Sequence, residues 1–218
     1  MRRDPENVNH LDRMLNMEWK ESVDMSLKPS IIAFAGSARE GSLNKKIIRI
    51  AAAGAETAGA DVGLIDLRDF PLPLYDGDLE ANEGVPANAE VLRKKMAACD
   101  GMLISSPEYN SSISPLLKNT IDWVTRLPGG QPSLEAFQGK LLVLMSASPG
   151  GFGGMRGLVH LRAILGNVGA IVLPQTRSVR EAFKAFDESG RLVDGKEQES
   201  IEKLGSDLAR MASKMLAS

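Results

Sequence analysis

The sequence has one cysteine, Cys99, and two histidines, His10 and His160, in 218 residues. A lone cysteine excludes an intrachain disulfide and suits a reducing compartment. Cys99 ends a helical pattern with no histidine or second cysteine nearby, so it reads as a buried apolar thiol. Two histidines, one of them inside a helical pattern, leave little material for a Ser-His-Asp triad or a His-rich metal site. No apolar run approaches the roughly 18–20 residues of a membrane span. The opening "MRRDPENVNHLDRMLNMEWK" also lacks the apolar stretch of a secretory signal. A cytoplasmic protein without membrane insertion is therefore expected. The formal net charge is only -2, which argues against a broad nucleic-acid-binding surface.

What is present is an ordinary globular composition, 43% hydrophobic and 25% charged, long enough for one domain with a substantial core. Residues 1–28 stand apart: they are charged and hold no strand pattern, though Leu11, Met14, Leu15 and Trp19 fit one face of a short helix. They read as a flexible or loosely docked extension or as a segment packing on a neighbouring subunit; a start at Met25 would also be plausible. From Ser30 onward, over 29–218, β-prone runs alternate with helical periodicity. Strands are expected at 30–36, 60–67, 101–106, 140–148 and 170–173, and helices at 42–59, 87–99, 113–124, 154–169 and around 201–215. Residues 68–86 read as a long Pro/Gly/acid-rich connection, and the acidic stretch 76–83 as a solvated loop rather than a metal site. This alternation implies an α/β fold, a doubly wound five-stranded parallel sheet with helices on both faces. Ligands then belong beyond the carboxyl ends of the strands.

The unusual loops fall at those ends. "GSAREGSLNKK" (36–46) offers free backbone N–H groups at a helix start, neutral donors in Ser37, Ser42 and Asn44, and a charged fork in Arg39, a set suited to phosphate. It is not a nucleoside-triphosphate loop: Gly36 and Gly41 have that spacing, but Ser42 stands where lysine is required. "SPEYNSS" (106–112) offers a rigid proline, a stackable ring in Tyr109 and several amides, which a planar heterocycle with a polar edge would use. "SASPGGFGGMRG" (146–157) carries glycines at a density that permits close backbone approach. A Gly/Ser turn, a half-buried tyrosine and a flexible loop are the plainer readings of the three taken singly. Together, and without the parts of a hydrolase, they suit a cofactor that brings its own reactivity.

Three motifs, G-S-x-R-x-x-S-x-N at 36–44, S-P-E-Y-N with L-K-N-x-I-D-W at 106–123, and S-P-G-G-x-G-G-x-R at 148–156, resemble the NADPH-dependent FMN reductases. These are flavodoxin-like proteins that include quinone, chromate and azo reductases. The resemblance implies that Ser37, Arg39, Ser42, Leu43 and Asn44 hold the FMN phosphate. Pro107, Glu108, Tyr109 and Asn110 would hold the ribityl chain and ring edge, chiefly through backbone, and Ser148, Pro149, Gly150 and Gly151 would line the ring's other side. It implies hydride transfer from NADPH or NADH to the flavin, then a ping-pong handover to quinone, azo, metal-oxyanion or flavin acceptors, with no catalytic side chain. It also implies homodimers or homotetramers, with the helix after the Pro-Glu-Tyr-Asn turn at an interface and Trp123 walling the flavin seat, against another subunit. Ser111 departs from the aromatic residue common at that position in relatives. The alternative is a flavodoxin-type FMN electron carrier that does not itself oxidise NAD(P)H.

Overall fold

The structure, a computed structural model, describes residues 28–218. The expectations for the extension lie, but for Lys28, outside the described residues. Five strands form one parallel sheet: β1 (Ser30–Ala35), β2 (Asp61–Ile65), β3 (Gly101–Ser105), β6 (Leu141–Ala147) and β7 (Ile171–Val179), in the order β2-β1-β3-β6-β7. A two-stranded antiparallel ribbon, β4 (Arg126–Leu127) with β5 (Gln131–Pro132), stands apart from it. The strand order reverses direction between β1 and β3, the switch point at which a crevice opens.

The helices divide between the two faces because successive strand side chains point to opposite sides. Ile31 and Ala33 of β1, Leu103 of β3, and Leu141 and Val143 of β6 pack in one cluster with α1 (Leu43–Thr57) and α6 (Gly195–Leu216). Ile32, Phe34, Met102, Ile104, Leu142 and Leu144 face the other cluster, with α3 (Ala87–Ala98), α4 (Pro115–Val124) and α5 (Met155–Asn167). With both faces covered, β1, β3 and β6 read as unbroken apolar runs. Cys99 is buried, as its context implied, and burial pushes its thiol up to about 11.

Four features of the fold differ from the expectations. The acidic stretch at 76–83 is not a loop. It forms α2 (Gly77–Glu83), whose first N–H groups at Asp78 and Leu79 donate to the Asp76 carboxylate. Within it Glu80 is buried, accepting from Arg126 Nε (2.7 Å) and the Tyr75 hydroxyl (3.0 Å). The last strand runs past Pro174 to Val179, because β7 is an edge strand and an irregularity opposite Leu142–Leu144 takes up the proline. Arg162 closes the gap, donating to Val172 O (2.9 Å) and Leu173 O (2.6 Å). The ribbon of β4 and β5, turning through Gly129 and Gly130 at positive φ, has no counterpart among the expected strands. Finally, Trp123 is wholly buried within its own chain, donating from Nε1 to Pro73 O (2.8 Å) and meeting Tyr75 edge-on. It fixes the 68–86 connection and has no surface left to offer another subunit.

Candidate functional site

The loop after β1 begins at Gly36, where a Cβ would crowd Leu117 of α4, so glycine lets α4 approach. Ser114 caps α4, its hydroxyl donating to Gly36 O (2.6 Å) and accepting from Leu117 N–H (3.2 Å). The same loop ends at Ser42, which caps α1 by accepting from Lys45 N–H (3.4 Å). Among the described residues, the N–H groups of Leu43 and Asn44 find no acceptor, and the Arg39 side chain is exposed without a hydrogen-bonded partner. Such orphan donors at a helix start attract an anion.

Asn44 differs from its expected role. Its Nδ2 donates to Ala147 O (2.9 Å), while its Oδ1 accepts from Ala147 N–H (2.9 Å) and the Ser105 hydroxyl (2.8 Å). The side chain thus ties the ends of β3 and β6 to α1, which leaves the backbone N–H and the second Nδ2 hydrogen without an acceptor among the described residues.

Glu108 is likewise occupied within the chain. Helix α5 starts from Gly154, which has no side chain to cap it. The Glu108 carboxylate supplies the cap from another loop, accepting from Arg156 N–H (2.9 Å), Gly157 N–H (3.2 Å) and Arg156 Nε (2.8 Å). Burial alone would raise this carboxyl; the Arg156 guanidinium and the backbone donors outweigh it and hold it below the usual carboxylate range. Next to it, Tyr109 and Ser112 exchange two backbone hydrogen bonds (2.9 and 3.0 Å) around Asn110 and Ser111, both at positive φ. Tyr109 is half exposed above this turn.

The glycine loop after β6 is strapped to the segment after β7. Ser148 N–H donates to Val179 O (3.1 Å), and Ala182 N–H returns to Ser148 O (3.0 Å). Gly153 and Gly154 have positive φ, and a Cβ there would press on Ser178 and Ser146, as one at Gly157 would on Ser112 O. Those glycines serve the chain's own packing. A Cβ at Gly151 would meet nothing, and one at Gly150 only the Ser148 hydroxyl.

The three loops meet in a cleft of about 70 Å³. Of the residues singled out from sequence, Ser37, Arg39, Ser42, Leu43, Asn44, Pro107, Glu108, Tyr109, Ser148 and Pro149 line it, together with Ala147. Asn110, Gly150 and Gly151 lie outside this lining. Three larger hollows, of about 520, 200 and 540 Å³, share none of these residues. Sequence reasoning missed Ala147, whose strand-end amide is read by Asn44; it marked Arg156 as the end of the third motif but not the pairing with Glu108 that joins two loops far apart in the chain. Among the described residues no three His, Cys, Asp or Glu side chains gather as a metal site, and no helix is long and apolar enough to cross a membrane.

A profile of the NADPH-dependent FMN reductases matches residues 29–184. A quinone reductase of Escherichia coli K12 is 38% identical over 172 residues, covering 78% of this chain and 88% of its own. An NAD(P)H-dependent FMN reductase of Pseudomonas aeruginosa is 36% identical over 180 residues, covering 82% and 92%. Among solved structures, the flavoenzyme NAD(P)H:(acceptor) oxidoreductase of Paracoccus denitrificans superposes with a TM-score of 0.69 at 26% identity, over 85% of this chain and 98% of that one. An archaeal flavodoxin superposes with a TM-score of 0.57 at 14% identity, over 84% and 98%, which speaks to the fold alone. A flavodoxin-like sheet, the cleft at its switch point and a family match over most of the described chain agree: the protein belongs to the NADPH-dependent FMN reductase family, oxidoreductases that work with FMN and NAD(P)H.

Proposed function

We propose that the chain oxidises NAD(P)H and passes the electrons to quinones, with FMN seated in the cleft and the two substrates using one open face in turn. The observation that carries this reading is a convergence of donors that find no acceptor among the described residues. The Leu43 and Asn44 N–H groups, the hydroxyls of Ser37 and Ser42, and the exposed Arg39 guanidinium all gather at one helix start. A phosphate monoester satisfies that set. A cleft of about 70 Å³ suits the phosphate and the nearby polyol, so a flat ring system would extend beyond it. There it would meet the backbone of Pro107–Asn110 on one side and the side-chain-free Gly150 and Gly151 on the other.

FMN held by these residues would supply the redox chemistry, hydride acceptance from the nicotinamide and electron delivery to the acceptor. This chain's own residues bind and orient. The Glu108–Arg156 contact holds the turn bearing Tyr109 against the glycine loop, and Asn44 locks the floor between them. No side-chain acid or base is assigned to the reaction. The name quinone reductase, carried by a relative at 38% identity, supports quinones as acceptors. Azo compounds, metal oxyanions and free flavin are further candidates for an open face.

Self-association, as a dimer or tetramer, belongs to the same reading. Phe152, Met155 and Val159, at 60%, 52% and 66% exposure, form an apolar stripe along the start of α5. The outer side of α4 instead carries an exposed Lys118–Asp122 pair, so α5 is the better interface. Steady-state assays with added FMN, NADPH or NADH, and a naphthoquinone test the function. Nicotinamide oxidation by the protein alone, with parallel double-reciprocal plots, is the expected result. FMN binding without such oxidation would identify an electron carrier instead.

A further inference from the structure

We propose that Arg68, which follows β2 and lies outside every motif read from the sequence, is a positioning residue for the phosphate end of FMN; this rests on the cleft holding FMN as argued above. The Arg68 Nε donates to the carbonyl oxygen of Ala38 (3.0 Å), across 30 residues of chain, in the middle of the loop between β1 and α1. A trans peptide is planar, with its C=O and N–H pointing opposite ways. Holding the Ala38 carbonyl on Arg68 therefore turns the N–H of the same peptide, that of Arg39, the other way. It points to the Ser37 hydroxyl (3.4 Å), and Ser37 lines the cleft. Released from Arg68, the peptide could rotate and present a carbonyl, the wrong end of its dipole, to an anion.

The charges around the loop agree. Lys45 is paired with Asp66 (2.5 Å), and Asp66 also accepts from the Arg68 N–H (3.0 Å), which fixes where the Arg68 side chain starts. Glu40 is the exposed acid of the loop. A phosphate monoester carries about -1.5 to -2 charge at neutral pH, more than Arg39 alone balances. Arg68 places a second guanidinium beside the same peptide. It is exposed, so its removal opens no cavity in the core.

The test uses the full chain stripped of flavin, titrated with FMN and with riboflavin, which lacks the phosphate. Arg68→Ala is expected to weaken FMN about 5- to 20-fold, near or below the low end of a lost charge-assisted contact because Arg68 is exposed and acts through the Ala38 peptide. Riboflavin affinity should change less than about twofold, and the salt dependence of FMN binding should flatten. Arg68→Lys should recover most of the loss, since the ammonium keeps the charge and a donor for Ala38. Unchanged FMN affinity overturns the proposal, and so does an equal loss for both flavins, which would mark a general distortion. An unsubstituted chain that binds neither flavin overturns the FMN reading itself, and this inference with it.

Discussion

Gly151 and Gly154 stand three positions apart in one loop and do different work. Gly154 has φ near 89° and no room for a Cβ beside Ser146, whereas Gly151 is free of both constraints. Gly154→Ala combines a left-handed backbone penalty of about 1–2 kcal/mol with a clash at the cap of α5. Gly151→Ala should leave stability unchanged or raise it by up to about 1 kcal/mol by restricting the unfolded chain. Urea midpoints of the two variants check this. If the ring of FMN or its partner substrates approach Gly151, Gly151→Val will lower turnover with the midpoint unchanged. Full turnover would move the nicotinamide site elsewhere. Glycine density in the sequence marked the loop but could not separate its structural glycines from its open ones. That distinction depends on Ser146, Ser178 and Ser112, which belong to other segments.

At the scale of elements, α1 and α6 cross at backbone distance. A Cβ at Gly54 would overlap the Glu202 carbonyl, and one at Gly205 the Ala51 carbonyl. The Ser206 hydroxyl donates to Gly54 O (2.9 Å) at the same crossing. In an exposed helix, Gly205→Ala would gain about 1 kcal/mol of helix propensity. Here the overlap is with backbone, and overpacking of this kind costs about 1–3 kcal/mol or more. A net loss of about 2 kcal/mol in denaturant unfolding is expected; a stabilised Gly205→Ala protein would show that the helices can part at little cost. The helices themselves were legible from their apolar periodicity and from caps such as Ser42. Which pair would touch so closely was not, because Gly54 and Gly205 are 151 positions apart and neither breaks its helix.

For the molecule as a whole, acid stability follows from carboxylates held low. Glu80 is lowered by its hydrogen bond from Arg126, against burial. Asp66 and Glu108 are pulled the other way by burial, but their Lys45 and Arg156 partners win. A carboxyl lower in the folded chain than in the unfolded one contributes stability above its unfolded value, near 4.3 for Glu. That contribution disappears as pH falls through the folded value. Glu197, raised by burial and by Asp194, has the opposite sign and offsets part of the loss. The urea midpoint should therefore hold between pH 6 and 5 and fall steadily below about 4.5. Glu108→Gln should flatten the slope. A midpoint independent of pH down to 3 would exclude these pairs as contributors.

The sequence by itself determined the α/β class, the parallel sheet, the three loops at its carboxyl edge and the family. Those features rest on local information: strand and helix periods, cap residues, and motifs whose members lie within a few positions of one another. The tertiary structure alone decided which side chains in those motifs remain free for a ligand. Asn44 and Glu108 stand in the right motifs, yet their polar atoms are taken by Ala147, Ser105 and Arg156, partners between 48 and 103 residues away. Arg68 entered the same way, through a hydrogen bond to a backbone carbonyl that no residue pattern encodes. A motif specifies which donors and acceptors are near a site, but only the folded chain decides which of them it has already used.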